Sequence, residues 1–205
     1  MVPCGEVQSA QFHSKADPTR EIEVKLRLQD AGRTAAVLLA NGFLVVQPRA
    51  FEANEVFDTP ERTLRAQRRL LRLREFAGAA TFTYKGTPEA GRYKSREELE
   101  TVVSDPAALR QILERLGLQL FFRYEKYRTI YQRPGDAAGL VVLDETPIGM
   151  WLELEGQPEW IDRTAALLGF TPQQYVTESY GGLWLRYCEE HAIDRPNMVF
   201  GDEPA

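Results

Sequence analysis

Glu21 and Glu23 stand two residues apart, and so do Glu153 and Glu155. Each pair sits in a segment that alternates charged with apolar residues. On a strand the members of a pair share one face, about 7 Å apart. Carboxylates held that close repel one another unless a cation lies between them. An all-oxygen donor set suits Mg²⁺ or Mn²⁺ and not zinc. Glu98, Glu100 and Asp144 extend the acidic set. A basic set recurs in the same kind of segment: Lys25, Arg72, Arg74, Lys85, Arg96, Lys126 and Arg128. Guanidinium forks match phosphate oxygens, and lysines add point charge. Acidic residues that hold a metal, beside basic residues that hold an anion, describe a polyphosphate site.

The elements that must position these side chains are mostly strands, because period-two alternation is the dominant signal. Residues 21–28 read Glu-Ile-Glu-Val-Lys-Leu-Arg-Leu, charged at odd positions and apolar at even ones. Segments 70–75, 80–86, 95–103, 121–132, 139–145 and 150–156 alternate in the same way. Helical stretches separate them: 31–41, a short turn within 60–68, and a helix from Asp105-Pro106 to Gly117. Pro158 opens another that stops at Gly169, and Pro172 opens a last one that reaches His191. No βαβ rhythm appears. Segments 70–76 with 80–86, and 139–145 with 150–156, are close enough for hairpins. The pattern predicts an α+β fold with a largely antiparallel sheet.

A single alternating strand is most simply half-exposed, with its charges in water. Seven such strands with amphipathic helices between them favour a closed or nearly closed β-tunnel. Its helices cover the apolar face outside, and its charged face lines the lumen. Charges inside must then be paired or bound to something.

Composition removes other classes. The chain has 205 residues, 43% hydrophobic and 27% charged, which are ordinary globular values. Only two cysteines and two histidines are present, against a Cys/His zinc site or a disulfide scaffold. The net charge of −5 argues against a nucleic-acid module that works by bulk charge. No stretch approaches the ~20 apolar residues of a membrane span, and the first residues lack the apolar core of a signal peptide. The expectations are a leader over 1–20, one domain over 21–200, a tail over 201–205, a cytoplasmic location, and a monomer or homodimer. Trp151, Trp160 and Trp184 read as core or tunnel-mouth packing. Cys188 and His191 read as ordinary helix residues, and Gly181-Gly182 is too short for a phosphate loop.

In order along the chain come Glu21-Ile-Glu-Val-Lys25, Val56-Phe57-Asp58-Thr59-Pro60, Leu71-Arg72-Leu73-Arg74 and Thr83-Tyr84-Lys85-Gly86. Then follow Arg96-Glu97-Glu98-Leu99-Glu100, Glu125-Lys126-Tyr127-Arg128, Leu143-Asp144-Glu145 and Glu153-Leu154-Glu155. This succession resembles the CYTH, or triphosphate tunnel metalloenzyme, superfamily, over about residues 21–185. The resemblance implies an antiparallel tunnel of about eight strands with outer helices. It implies that Glu21, Glu23, Asp144, Glu153 and Glu155 bind metal and that Lys25, Arg72, Arg74, Lys85 and Arg128 hold phosphates. Glu98 and Glu100 line the tunnel, with metal contact through water. Arg96 and Lys126 serve either as phosphate contacts or as partners for the carboxylates. Lys25, Glu21 and Glu23 are the expected catalytic residues, Lys25 as general base only if neighbouring cations depress its pKa.

The expected activity is divalent-metal-dependent hydrolysis of a triphosphate compound, inorganic triphosphate first. A class IV adenylate cyclase acting on ATP is the second reading, and a non-enzymatic polyphosphate or nucleotide-binding module the third. Two positions depart from the family pattern. Val56 stands where some family triphosphatases carry a tyrosine, and Glu178 where some carry a basic residue in the C-terminal helix.

Overall fold

The odd side chains of β1 (Arg20–Leu28) face one way and the even ones the other. Val24, Leu26 and Leu28 are buried in an apolar cluster with Trp160, Ile161 and Ala165 of α4 (Pro158–Leu167). Glu21, Glu23 and Lys25 face a central cavity instead. The same division recurs around the sheet. In β3 (Leu70–Phe76), Leu73 packs with Leu113 of α3 (Pro106–Arg115), while Arg72 and Arg74 line the cavity. The charged face is therefore inside and the apolar face lies under the helices, as the alternation predicts.

The computed structural model describes residues 20–201. The leader expected over 1–20 lies outside them except for Arg20, and the tail except for Gly201. The remaining elements are α1 (Ala31–Ala40), β2 (Leu44–Asp58), α2 (Thr63–Ala66), β4 (Ala79–Lys85) and β5 (Lys94–Val102). They continue with β6 (Gln119–Gln132), β7 (Gly139–Thr146), β8 (Gly149–Gly156) and α5 (Tyr180–His191). The strands close into an antiparallel barrel in the order β1-β5-β4-β3-β2-β6-β7-β8. The eight-stranded tunnel implied by the resemblance is thus borne out. Both expected hairpins form, β3 with β4 and β7 with β8. Among the described residues no helix is long and apolar enough to cross a membrane.

Two readings need correction. Leu44–Asp58 is the longest strand, yet only its end was legible, in the motif from Val56. Leu44, Val45 and Val46 run apolar without alternation, Pro48 interrupts, and the pairing with β6 shifts register on both sides of Gln47. Proline inside a strand removes a ladder donor and belongs at such an irregularity. Pro172, in turn, opens only a 3₁₀ turn, Pro172–Gln174, and the helix starts at Tyr180. Between them the chain runs extended, and Val176 exchanges backbone hydrogen bonds with Lys25, at 2.8 and 2.9 Å. That contact takes up β1 backbone groups beyond the part paired with β5, which ends at Glu23. Met198 does the same for β6 at Arg123 and Glu125, before β7 joins at Tyr127.

The wall between β7, β8 and α4 is tight. A Cβ on Gly139 would meet the Trp160 ring at 2.5 Å and the Glu155 carbonyl oxygen at 2.6 Å. Gly139→Ala is expected to cost about 1–3 kcal/mol of stability through overpacking. A urea titration measures this, and an unchanged midpoint would mean that the wall yields freely.

Candidate functional site

The inward strand faces surround a cavity of about 1430 Å³. Its cations are Lys25, Arg72, Arg74, Lys85, Lys94, Arg96, Lys126 and Arg128. Its inward carboxylates are Glu21, Glu23, Glu98, Glu100, Glu153 and Glu155; Glu52 and Asp144 lie buried behind the lining, against Lys126 and Arg128. Every site residue expected from sequence lines this one lumen except Asp144, which is fully buried behind it against Lys126, Arg128 and Tyr180. The acidic set and the basic set read from the sequence are not kept apart in the fold but interleaved. Opposite charges face each other across the ladders: Glu21 against Arg96, Glu23 against Lys94, Lys25 against Glu153, Glu52 against Lys126, Lys85 against Glu98, and Arg128 against Asp144. Residues directly opposite on a ladder share a face, so register alone pairs them.

Distances follow the register. Glu21 lies 2.7 Å from Lys85 and 3.1 Å from Arg96. Glu23 lies 2.9 Å from Lys25 and 2.6 Å from Lys94. Glu153 holds Lys25 at 3.1 Å and also Arg128. Asp144 is saturated: Lys126 donates to it at 2.9 Å, Arg128 through two nitrogens at 2.7 Å, and the Tyr180 hydroxyl at 2.7 Å. Of the expected metal ligands, Asp144 is the most fully engaged. Arg96 and Lys126 act here as carboxylate partners, one of the two roles foreseen for them.

Lys25 stands at the centre. Burial disfavours its charge, but Glu153 and Glu23 outweigh burial and hold it protonated more firmly than a free lysine. No depressing cation dominates, so the condition for a general base is not met in this arrangement. Burial likewise opposes ionisation of Glu21, yet Lys85 and Arg96 keep it well below the usual carboxylate range. Glu153 is brought down to about 2 against the same burial cost, by Lys25 and Arg128.

Two inward groups remain poorly matched. Arg72 reaches Glu98 and Glu100 only at 3.9 and 3.8 Å, and its buried Nε has no hydrogen-bond partner. Glu155 makes no ion pair among the described residues, and it faces Glu23 across the ladder, like charge against like. Burial, then Glu21, Glu98 and Glu23, push its carboxyl up to about 8. Burial and Glu21 also raise Glu98, despite Lys85.

Glu52, Lys94 and Tyr180 belong to this site and were not found from sequence. Glu52 is fully buried, 3.3 Å from Lys126 and 3.5 Å from Arg128. Its signal was the period-two run Glu52, Asn54, Val56, Asp58, of which only Val56 and Asp58 were read. Lys94 continues the inward face of Arg96, Glu98 and Glu100 by one step. Tyr180 arrives from α5, its ring 5.2 Å from the Lys25 amine and 4.8 Å from that of Lys126, and the strand pattern carries no signal for it. Val56 packs beside the Tyr180 cluster and lines the cavity. Glu178 pairs with Arg186 at 3.0 Å.

Known proteins resemble this chain in sequence or in fold. A Methanocaldococcus jannaschii protein named as a candidate adenylate cyclase is 30% identical over 135 residues, covering 66% of this chain and 75% of its own. A Vibrio parahaemolyticus structure described in the same terms superposes with a TM-score of 0.70 at 22% identity, over 79% of this chain and 95% of that one. A Hippeastrum adenylyl cyclase candidate, described as having a dominant triphosphatase activity, gives 0.56 at 17% identity, over 86% and 98%. The family model described as the CYTH domain matches residues 19–165, which include the paired strands that carry the inward charges. On that match, and on the closed tunnel it predicts, the chain belongs to the CYTH family.

Proposed function

We propose that this protein is a divalent-metal-dependent hydrolase of triphosphate compounds, with inorganic triphosphate as the leading substrate. The observation that carries the reading is the pair of unmatched groups in an otherwise balanced lumen. Arg72 offers an unpartnered N–H to an anion, and Glu155 crowds three other carboxylates. Membership of the CYTH family and the activity named for the Hippeastrum relative support it.

Among the described residues no cluster of His, Cys, Asp or Glu forms a ready-made metal site. The donor chemistry around Glu155 nonetheless fits a hard cation: Glu21, Glu23, Glu98 and Glu155 supply only oxygen, and burial, with the repulsion of the other three added to it, raises Glu155. These four would hold Mg²⁺ or Mn²⁺. A divalent cation bound there supplies Lewis acidity toward phosphoryl oxygens and toward water. Arg72, Arg74 and Lys85 bind the chain of phosphates, exchanging part of their contact with Glu98 and Glu100 for it. Lys25 stays protonated and keeps Glu23 and Glu153 in place. Water adds at the terminal phosphorus, the anhydride P–O bond breaks, and phosphate and diphosphate leave. The guanidinium groups neutralise the charge that grows on the leaving diphosphate.

The test is phosphate release from tripolyphosphate with Mg²⁺ or Mn²⁺, with ATP in parallel. No turnover of either compound with either metal sinks the hydrolase. Cyclic AMP and diphosphate from ATP would make it a cyclase, the activity in the name of the M. jannaschii relative. Tight binding without any product would make it a binding module.

Arg72→Ala should weaken triphosphate binding about ten- to a hundredfold, since a charge-assisted hydrogen bond contributes roughly 1.5–3 kcal/mol. Extra metal should not restore it. Titration calorimetry at two metal concentrations checks both statements.

Glu155 gives a pH prediction. The unfolded carboxyl ionises near 4.5, and the folded one keeps its proton up to about 8. The unfolded state therefore binds fewer protons in that window, and this group lowers stability progressively as pH rises through it. Glu155→Gln should raise Tm more at pH 8 than at pH 5. Added Mg²⁺ should raise Tm of the unsubstituted protein more than that of the variant. Equal shifts at both pH values would show that Glu155 is not strained by its neighbours.

A further inference from the structure

Outside the barrel, the Asp162 carboxylate of α4 gathers three donors from two other segments. The Tyr93 hydroxyl donates to one oxygen at 2.9 Å, and Arg92 donates to that same oxygen. The Tyr175 hydroxyl donates to the other oxygen at 2.9 Å. The Arg92 guanidinium lies over both rings, 5.2 Å from that of Tyr93 and 5.6 Å from that of Tyr175. An exposed ion pair contributes little by itself. This cluster differs in what its two tyrosines adjoin.

Tyr93 immediately precedes Lys94, and Tyr175 immediately precedes Val176. Lys94 reaches into the lumen, where its amine donates to Glu23 Oε1 at 2.6 Å. The Val176 carbonyl accepts from the Lys25 N–H at 2.8 Å, and the Val176 N–H donates to the Lys25 carbonyl at 2.9 Å. A residue has one backbone N–H, so Lys25 uses its own on Val176 and not on Glu153, which stands opposite it in β8. The Lys25 amine donates to the same Glu23 Oε1, at 2.9 Å. Among the described residues no hydrogen bond reaches Glu23 Oε2. Two ammonium groups thus pin one oxygen of Glu23 and aim the other. Glu23 also faces Glu155 across the ladder, so that aim decides how closely the two carboxylates approach.

We propose that Asp162 is a positioning residue for Glu23. The peptide unit between neighbours is planar and stiff, so a fixed Tyr93 fixes Lys94 and a fixed Tyr175 fixes Val176. Through Lys94, and through the backbone of Lys25, one carboxylate outside the barrel sets where the second Glu23 oxygen points. Its effect on turnover rests on the hydrolase reading, in which Glu23 is a metal ligand. Its effect on the lumen does not.

The experiment follows lysine side chains by NMR in the full chain made with isotope-labelled lysine. The sequence holds only five lysines, so each signal can be assigned by a single substitution. The test variants are Asp162→Ala, and Tyr93→Phe with Tyr175→Phe, which keeps the Arg92 pair and both rings and so guards against a folding defect. The control is Glu145→Gln, which removes the outer ion pair with Arg49. In both test variants the Lys25 and Lys94 signals should move, while Lys126, held by Asp144 and Glu52, stays. In the control none of the three should move. With tripolyphosphate and Mg²⁺, kcat of the test variants should fall about tenfold, the scale seen when a ligand loses its outer support. KM should hold, because Arg72, Arg74 and Lys85 are untouched. Unmoved Lys25 and Lys94 signals in both test variants overturn the proposal and leave Asp162 as a surface tie. Movement of Lys126 to the same extent, or equal movement in the control, overturns it as general loosening. Moved signals with an unchanged kcat in an active protein overturn its part in turnover. No turnover by the unsubstituted protein overturns the hydrolase reading instead, and the lysine signals still decide the role of Asp162.

Discussion

Charges enclosed by a closed barrel have little water to solvate them, and each one left alone costs several kcal/mol. The fold meets that constraint through strand register. Closing the sheet in one particular order sets Glu21 against Arg96, Lys25 against Glu153 and Arg128 against Asp144. A slip of one residue in any ladder would turn a whole row of charges into the apolar layer and a row of leucines into the lumen. Register and charge balance therefore specify each other. The helices outside serve the same end, since Leu26, Leu152 and Leu154 can be fully buried only beneath a cover.

On the proposed function, this network of ion pairs is a resting state for an anion and a cation that bind together. A phosphate chain alone would draw arginines from their carboxylates and leave acids unmatched. A metal alone would draw carboxylates from their lysines. Bound together they would replace both sides of each broken pair, so the proposed function implies joint binding. Glu155, opposed by Glu23 across the ladder, marks where the acidic surplus already exists, and Arg72 marks where a cation is weakly held.

Most of the barrel was legible because its strands are amphipathic in the simplest way, charge on one side and aliphatic residues on the other. Seven strands carried that mark. β2 did not, since Pro48 and the register shifts around Gln47 break its period where it runs along β6. Missing that strand removed Glu52 from view, and with it a partner of Lys126 and Arg128. The identities of the site residues were legible for the same reason as the strands. Their partners were not: β1 lies between β5 and β8, which come far later in the chain, and no local pattern states which charges will meet. Tyr180 was hidden for a related reason, because it reaches Asp144 from a helix.

The position of β1 also governs how the protein can be made. The strand that carries the signature glutamates precedes the other strands of the barrel, yet it pairs with β5 and β8, and Lys25 exchanges hydrogen bonds with Val176. Contacts of such long sequence separation are slow to form, because loop closure must precede them. During synthesis one edge of the strand has no native partner until β5 has emerged, and the other none until β8 has. Its alternating glutamates and lysine suit that interval, since a charged edge resists pairing with other chains. The residues that later serve the lumen thus protect the chain before there is a lumen.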